Sequence, residues 1–327
     1  MGVWFDTENL TWNLPPRKLI PLVDLLRRAT VDKREMTLQE VQVVHGKLIH
    51  VAQLSPALSL LIAETIEQMR LLLSPDHSLT GKTKAFSISP EMKHDLETVT
   101  AILTYTINRP LPIVRQDVDP GMWALKVYTD ISGHLISNPS LGIYIPTQLT
   151  EQPIAASLAF PREFLLKEDK DGKKVFCKTT ALEALGFLVT LCLGPLRFAE
   201  REAIFTNDNI ATVIALKKGY SKDSWTTAIV RASRVVAAGI GCAIFATWER
   251  RRSSPQTNIA DDLTHNLLTD LTAKEVDSYL ALGQVSFPPP ILQWMARPGP
   301  DQTLGYSCLI WLREEFPALR ILSPSIV

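Results

Sequence analysis

The chain has 327 residues, of which 46% are hydrophobic and 21% are charged, and its formal net charge at pH 7 is zero. This length predicts about two domains with a substantial buried core. The zero net charge excludes a global electrostatic attraction to nucleic acid, so any such binding must come from local basic patches.

The cysteines and the hydropathy pattern predict an intracellular protein. No two cysteines have metal-ligand spacing, which favours buried free thiols in a reducing compartment; the four are Cys177, Cys192, Cys242 and Cys308. No signal peptide or membrane-spanning segment is expected, because the longest apolar run, Leu182 to Leu193, is short and interrupted by Glu183. We therefore expect no membrane partner, and nothing in the sequence selects between nucleus and cytoplasm.

Apolar residues at helical spacing predict packing helices along the first third of the chain. The first helix carries the apolar stripe Leu19, Leu22, Val23 and Leu26. Thr37 and Glu40 have the spacing of a capping box at the start of the second helix. Ser-Pro pairs at 55–56 and 89–90 predict the starts of two more helices, with serine as the N-cap. We predict a helical region over residues 1–109.

A proline-rich stretch without periodicity, residues 108–121, predicts a linker. After it, strand patterns such as "LKVYTD" (125–130) come first in a run and then alternate with helical patterns. This order predicts an α/β fold, with a mixed sheet and flanking helices, over residues 110–268. Residues 269–327 combine helical and proline-rich loop signals, and we predict a C-terminal tail of unassigned role.

Two acidic residues stand out in the predicted α/β region. Asp130 ends the strand pattern in "LKVYTDISGH", where a carboxylate is either a turn-forming residue or a ligand. Glu183 is the only charged residue between Lys178 and Arg197, in a helix that is apolar nearly all round. A lone buried carboxylate is costly unless something binds it. The alternative is local, because Thr180 and Glu183 also fit a capping box.

Three further acidic residues also have a local structural interpretation beside that of a ligand. Asp208 lies between a strand pattern and a helix, where it fits an N-cap. Asp261 and Asp262 in "IADDLTHNLL" suit the first turn of a helix. The joint pattern is more informative, because a strand end, an early helix, a second strand end and a late helix each supply one acid: Asp130, Glu183, Asp208 and Asp261.

This order resembles the ribonuclease H (RNase H) domain that follows the polymerase in retroelement reverse transcriptases. "YTDIS" is similar to the first-strand aspartate motif and "TTALEAL" to the glutamate helix. "FTNDNIATVIAL" is similar to the second-strand aspartate motif and "NIADDLTHN" to the closing A-D-x-L-S/T motif. Upstream, "GVWFDTENLTWNLPPRKLIPLVDLLRRAT" and "MTLQEVQVVHGKLIHVA" resemble the end of a polymerase palm and its helical thumb or connection. The resemblance covers roughly residues 1 to 268.

The resemblance implies an RNase H-like domain that cleaves RNA in RNA–DNA hybrids. It implies two Mg²⁺ ions, about 4 Å apart, with Mn²⁺ as a substitute. Asp130 would bridge both ions. Glu183 and Asp208 would complete one ion site, and Asp261 would complete the other.

The resemblance has one large gap. The paired aspartates of the polymerase palm are absent, so the chain is not expected to polymerise nucleotides by itself, and a separate polymerase chain is a candidate partner. The alternative function is a catalytically inactive, domesticated or decayed element that binds nucleic acid or other proteins. Retention of all four carboxylates favours the enzyme, whereas the missing palm and the zero net charge favour the alternative.

Basic residues in two places are expected to contact phosphates of an RNA–DNA hybrid or another nucleic acid without reading its sequence. Arg27 and Arg28 belong to a basic cluster in the thumb-like helices. A second group follows the last predicted strand, near Asp261: Arg250, Arg251 and Arg252. Solvated helix and loop faces are the alternative interpretation for both groups.

Overall fold

The structure is a computed structural model of the chain. It describes residues 4–6, 11–32, 35–52, 62–73, 85–105, 111–112, 124–132, 139–147, 151–161, 164, 167–168, 174–175, 179–265, 267, 271–282, 286–296 and 303–319. The chain divides into two compact units, one formed by Met1–Val118 with Ile321–Val327 and the other by Asp119–Arg320.

The first unit is mostly helical. Its helices are α1 (Pro16–Arg27), α2 (Leu38–Ala52), α3 (Ala63–Leu72) and α4 (Pro90–Tyr105), and a π-helical turn, Arg28–Asp32, follows α1. Its short strands are β1 (Trp4–Asp6), β2 (Thr11–Asn13), β3 (Glu35–Thr37), β4 (Ala85–Ser87) and β5 (Leu111–Pro112). They form two antiparallel sheets, β1–β2–β5 and β3–β4.

The sequence signals for these helices are confirmed where the residues are described. All four residues of the predicted stripe in α1 are buried. The capping box before α2 is formed, because the backbone N of Thr37 donates to Glu40 Oε2 at 2.9 Å and the backbone N of Glu40 donates to Thr37 Oγ1 at 3.3 Å. Ser89 Oγ accepts from the backbone N of Met92 at 3.1 Å at the start of α4. The predicted helix start at 55–56 lies outside the described residues.

Part of the predicted linker is a strand. Leu111 and Pro112 pair with Trp12 and Thr11 of β2. The pairing joins residues far apart in the sequence, which local periodicity does not reveal. The rest of the predicted linker, 108–110 and 113–121, lies outside the described residues.

The second unit is built on a five-stranded mixed sheet, as predicted. Its strands are β6 (Leu125–Ile131), β7 (Ser140–Ile145), β8 (Ile154–Ala159), β11 (Glu202–Asn207) and β12 (Ala243–Trp248), and the hairpin β9 (Lys167–Glu168) and β10 (Lys174–Val175) stands apart from it. The strand order is β12–β11–β6–β7–β8. Strands β6, β7 and β8 are antiparallel neighbours, whereas β11 runs parallel to both β6 and β12.

Helices flank this sheet, which completes the predicted α/β class. They are α5 (Thr179–Leu193), α6 (Pro195–Phe198), α7 (Ile210–Lys218), α8 (Ser224–Gly239), α9 (Pro255–Thr264), α10 (Ala273–Leu282), α11 (Pro289–Ala296) and α12 (Leu304–Glu315). Helix α5 is apolar nearly all round because it is buried between the sheet and α8. Helix α9 packs on β6 and β7.

Helices α5 and α9 lie on opposite faces of the central strands. A Cβ added to Gly186 of α5 would meet Leu141 Cδ1 at 3.0 Å and Thr129 Cβ at 3.2 Å. A Cβ added to Gly142 would lie 2.2 Å from the backbone oxygen of Ala260 in α9. Because neighbouring residues of a strand point to opposite faces, Leu141 and Gly142 place the two helices on the two sides of the sheet.

Gly142 permits the close approach of α9. In the ladder between β6 and β7, Gly142 pairs with Asp130. The missing side chain lets the backbone of α9 approach the strands at the register of Asp130. This approach places Asp261, which follows Ala260 in α9, beside Asp130, and one nitrogen of Arg251 donates to both carboxylates.

The described part of the predicted tail belongs to the second unit. The Tyr144 hydroxyl donates to the buried carboxylate of Glu275 in α10. Tyr279 of α10 packs on an apolar cluster shared by the sheet and α9, which consists of Tyr128, Tyr144, Ala155, Ile259, Ala260 and Leu263. Further along, Gly305 of α12 packs closely on Val235 of α8.

Two expectations about the chain as a whole can be compared with the described residues. Cys192, Cys242 and Cys308 are buried free thiols, as predicted, and Cys177 lies outside the described residues. None of the helices within the described ranges combines the length and the apolar surface that a bilayer crossing requires.

Candidate metal centre

Three of the predicted acids meet at one end of the sheet. Asp130 is the second-last residue of β6, Asp208 directly follows β11, and Glu183 lies near the start of α5. Because β6 and β11 are parallel neighbours, their carboxyl ends lie at the same edge. One carboxylate oxygen from each acid lies within 4.8 Å of the other two. Three carboxylates at this separation could hold a metal ion.

The two deepest acids are almost inaccessible to solvent, with Asp130 6% and Glu183 3% exposed. Burial, the hydrogen bond with Asp261 and the charge of Asp208 together raise the pKa of Asp130 to about 7, against the opposing charge of Arg251. Burial and the charge of Asp130 raise the pKa of Glu183. Without a metal ion this cluster therefore tends to retain protons, and a divalent cation would favour its ionised form.

Asp208 is more accessible than its neighbours, because its side chain is 25% exposed. Burial raises the pKa of Asp208, while the charge of Arg251 opposes the shift. The indole Nε1 of Trp248, at the end of β12, donates to the backbone oxygen of Asp208 at 2.8 Å. Trp248 is half exposed, so an aromatic surface flanks the acidic cluster.

Asn207 orients Glu183, and sequence reasoning missed it. Its Nδ2 donates to Glu183 Oε2 at 2.8 Å and to the backbone oxygen of Thr129 at 3.1 Å. Its Oδ1 accepts from the backbone N of Asn209 at 2.8 Å, which fixes the amide from the other side. The signal available in the sequence was an amide directly before the strand-end aspartate in "FTND".

The alternative local roles of Glu183, Asp208 and Asp261, as caps or as a first-turn acid, are wrong. Glu183 accepts from Asn207 instead of folding back on the helix start. The N-cap of α7 is Asn209, not Asp208, because Asn209 Oδ1 accepts from two backbone N–H groups of the first turn. Helix α9 begins after a capping box formed by Ser254, so Asp261 lies in its second half.

Asp261 joins the cluster through two arginines. Arg251 Nη2 donates to Asp261 Oδ1 at 2.6 Å and to Asp130 Oδ2 at 3.1 Å, and its Nε lies 3.8 Å from Asp208 Oδ2. Arg252 donates to Asp261 Oδ2 at 2.7 Å and to Asp262 Oδ1 at 2.8 Å. Burial alone would raise the pKa of Asp261, but the hydrogen bonds from Asp130 and the two arginines outweigh it and lower that pKa.

The arginines predicted to bind nucleic acid therefore differ in position. All three arginines after β12 are exposed, and the guanidinium groups of Arg251 and Arg252 contact the acids. Arg27 and Arg28 are exposed at the end of α1 in the first unit. Contact of these residues with phosphate remains a prediction.

Two of the acids, Asp130 and Asp208, line a small cleft that is open to solvent. Its walls include Asp130, Asn207, Asp208, Arg251 and Thr257, and its empty volume is about 250 Å³, including the open mouth. All the candidate ligands are carboxylate oxygens, which are the donors that hard divalent cations prefer. The donor set fits such a cation on the side formed by Asp130, Glu183 and Asp208.

The fold and the site define a mixed α/β protein with an acidic centre that could hold a metal ion. No protein-family model matches the chain, and no curated protein matches it either. Its function is therefore inferred from its own residues.

Replacement of Asn207 by alanine tests its orienting role. Because Glu183 loses its donor while buried, Asn207→Ala is expected to destabilise the second unit by about 1–3 kcal/mol. It is also expected to weaken Mn²⁺ binding by about 10- to 100-fold, as loss of an orienting partner does at other metal sites. Denaturant unfolding and Mn²⁺ titration measure the two effects.

The matched control is Asn209→Ala, which removes the N-cap of α7 without touching Glu183. It is expected to cost about 1 kcal/mol of stability and to leave Mn²⁺ affinity unchanged. Equal effects of the two substitutions on Mn²⁺ affinity would contradict the orienting role of Asn207.

Proposed function

We propose that the second unit is an RNase H-like domain that hydrolyses RNA in RNA–DNA hybrids with two Mg²⁺ ions, for which Mn²⁺ can substitute. The observation that carries the proposal is the convergence of Asp130, Glu183 and Asp208, from three separate elements, to within 4.8 Å. Two bound Mg²⁺ ions would assist the attacking water and stabilise the leaving oxygen in phosphodiester hydrolysis.

The positions of the acids support this proposal. The four sequence motifs that resemble a retroelement RNase H domain lie on β6, α5, the end of β11 and α9. In the proposed site, Asp130, Glu183 and Asp208 hold one cation. Asp130 and Asp261 hold the other. Asn207 keeps the Glu183 carboxylate directed at the cluster.

The surroundings of the cluster also suit a nucleic-acid substrate. Arg250 offers an exposed positive charge on the turn before α9, which can contact a phosphate. Trp248 offers an exposed aromatic face beside Asp208, and bases stack on such faces with little regard to sequence. Both contacts are local, as a chain with zero net charge requires.

The first unit bears on the partners of the protein. Its helices occupy the region that resembles a polymerase thumb or connection, where Arg27 and Arg28 are exposed. In this proposal a polymerase chain is a candidate protein partner.

A second candidate function is a catalytically inactive module that binds nucleic acid or protein. The observation in its favour is that Arg251 and Arg252 neutralise the acids of the cluster. In this case the acids stabilise the fold through ion pairs with the arginine turn and have no catalytic role.

Cleavage of a labelled RNA–DNA hybrid in Mg²⁺ decides between the two functions. Wild type is expected to cleave the RNA strand of the hybrid, and EDTA to stop the cleavage. Asp208→Asn is expected to reduce the rate by at least about 100-fold, because it removes a ligand. Its metal-free melting temperature should stay the same or rise, because the folded protein disfavours the charge of Asp208.

The control for this assay is Asp277→Asn, which makes the same chemical change on the exposed surface of α10. It should cleave at the wild-type rate. Absence of wild-type cleavage, or equal rates for Asp208→Asn and Asp277→Asn, would support the inactive module instead.

A further inference from the structure

The guanidinium of Arg251 lies where the proposed function needs a second cation. Its Nη2 bridges Asp130 Oδ2 and Asp261 Oδ1, at 3.1 and 2.6 Å. These are the two acids that would share the second ion. The Nε of Arg251 lies 3.8 Å from Asp208 Oδ2, and among the described residues Arg251 donates no hydrogen bond to Glu183.

The other half of the cluster has a weaker arginine contact, because Arg251 lies 3.8 Å from Asp208 and none of the hydrogen bonds among the described residues joins an arginine to Glu183. Glu183 is hydrogen-bonded to the neutral amide of Asn207, and its oxygen lies within 4.8 Å of oxygens of Asp130 and Asp208. Arg251 thus bridges Asp130 and Asp261 at hydrogen-bond distance, whereas Glu183 is held by a neutral donor. A divalent cation and a guanidinium repel each other, so the two sides are not equivalent for metal binding.

We infer that Arg251 occupies the second cation position of this centre, so that the protein without nucleic acid binds one divalent ion, at Asp130, Glu183 and Asp208. The second ion enters between Asp130 and Asp261 only when Arg251 withdraws. The inference rests on the proposed function for the assignment of the two ion positions.

The position of Arg251 allows this withdrawal. Its side chain is 52% exposed, so the guanidinium can move into solvent without disturbing the core. A substrate phosphate would give it a new anionic partner, because arginine binds phosphate as readily as carboxylate. Withdrawal would then accompany substrate binding.

Arg252 holds the turn while Arg251 moves. Arg252 donates to Asp261 Oδ2 and to Asp262 Oδ1, and none of the hydrogen bonds among the described residues joins it to Asp130. Its backbone has a φ of +54°, an uncommon conformation for a residue with a side chain. Both arginines contact Asp261 of α9, so Arg252 keeps the turn anchored there when Arg251 leaves.

The test counts metal ions without nucleic acid and without an activity assay. Metal-free wild type, Arg251→Gln and Arg250→Gln are each titrated with Mn²⁺, and free Mn²⁺ is measured by electron paramagnetic resonance. Wild type and Arg250→Gln are expected to bind one ion per chain. Arg251→Gln is expected to bind two ions per chain. Its affinity for the second ion should be at least tenfold higher than that of any second, weaker binding by wild type.

Thermal melting gives an independent readout. Without metal, the melting temperature of Arg251→Gln should be lower than that of wild type, because the acids lose the positive guanidinium group that neutralises them. Saturating Mn²⁺ should raise its melting temperature by more than it raises that of wild type. Arg250→Gln should behave as wild type in both conditions.

The outcomes separate this inference from the proposed function. Two ions of similar affinity in wild type, or the same count and affinity in Arg251→Gln as in wild type, would overturn the inference even if wild type cleaves the hybrid. A second ion gained in Arg251→Gln would support it even if no protein cleaves the hybrid, and the proposed function would then fail alone. Absence of Mn²⁺ binding in every protein would overturn both. If Arg251→Gln does not fold, Arg251→Lys replaces it in the test, because lysine keeps the charge with fewer contacts. Arg251→Lys should bind the second ion with an affinity between those expected for wild type and Arg251→Gln. An affinity for the second ion equal to that of wild type would overturn the inference.

Discussion

Gly142→Ala is expected to destabilise the second unit by about 3 kcal/mol and to weaken Mn²⁺ binding at the second ion position, between Asp130 and Asp261. The added Cβ would lie 2.2 Å from the backbone oxygen of Ala260, and a backbone atom cannot rotate away as a side chain can. Overpacking of this kind typically costs about 1–3 kcal/mol, and more where backbone must shift. Because Gly142 pairs with Asp130, the shift of α9 separates Asp261 from Asp130.

The control for Gly142→Ala is Gly194→Ala in the same unit. A Cβ at Gly194 would meet Phe198 at 3.5 Å, an ordinary van der Waals contact. Its unfolding free energy should change by less than about 1 kcal/mol, and its Mn²⁺ titration should match wild type. A Gly142→Ala protein with wild-type stability would show that α9 can retreat without loss.

Without metal, the stability of the second unit is expected to fall as the pH rises from about 4 to about 7. The pKa of Asp130 is raised to about 7 in the folded protein, whereas an unfolded aspartate loses its proton near pH 4. Between these values the folded state binds more protons than the unfolded state, so the free energy of unfolding decreases with pH. The raised pKa values of Glu183 and Asp208 act in the same direction.

The size and the pH window of this effect follow from the groups that face Asp130. A shift of this size in a buried group corresponds to a loss on the order of 2–4 kcal/mol. The lowered pKa of Asp261 has the opposite sign, but its window lies below the ordinary value of 3.8 and does not overlap. Arg251 is already included as the charge that opposes the shift of Asp130.

Urea unfolding at pH 5 and pH 8 in EDTA, repeated with saturating Mg²⁺, measures this pH dependence. Mg²⁺ is expected to restore stability mainly at pH 8, where it competes with fewer protons. Asp130→Asn removes the titrating group and should reduce the difference between the two pH values. Wild-type stability that rises from pH 5 to pH 8 in EDTA would contradict the expectation.

The sequence was sufficient to predict the strands of the mixed sheet and the acids that lie close together, because both depend on local signals. Alternating apolar residues mark the strands of the mixed sheet, and the order of four acids along them indicated one site. The burial of Glu183 also followed from the sequence, since its helix has no polar face on which a charged residue could lie. The competing capping interpretation could not be excluded until the partner of Glu183 was known.

The partners of these acids depend on distant residues, which local patterns do not report. Asn207 reaches Glu183 from 24 positions away, and no periodicity marks an asparagine for that contact. The sequence indicated that Arg251 and Arg252 were available to phosphates, and it gave no sign that both contact Asp261. Gly142 gave no signal at all, because its role depends on a helix that approaches it in space.

The hydrogen bond between Tyr144 and Glu275 bears on how this protein can be dissected. A truncation after residue 268, the end of the region that resembles RNase H, would remove α10 and Glu275. The Tyr144 hydroxyl would lose its acceptor, and the apolar cluster under α9 would be uncovered. That cluster supports the helix carrying Asp261, so residues beyond the resembling region hold one of the four acids in place. A minimal fragment therefore has to be cut according to packing and not according to motif boundaries.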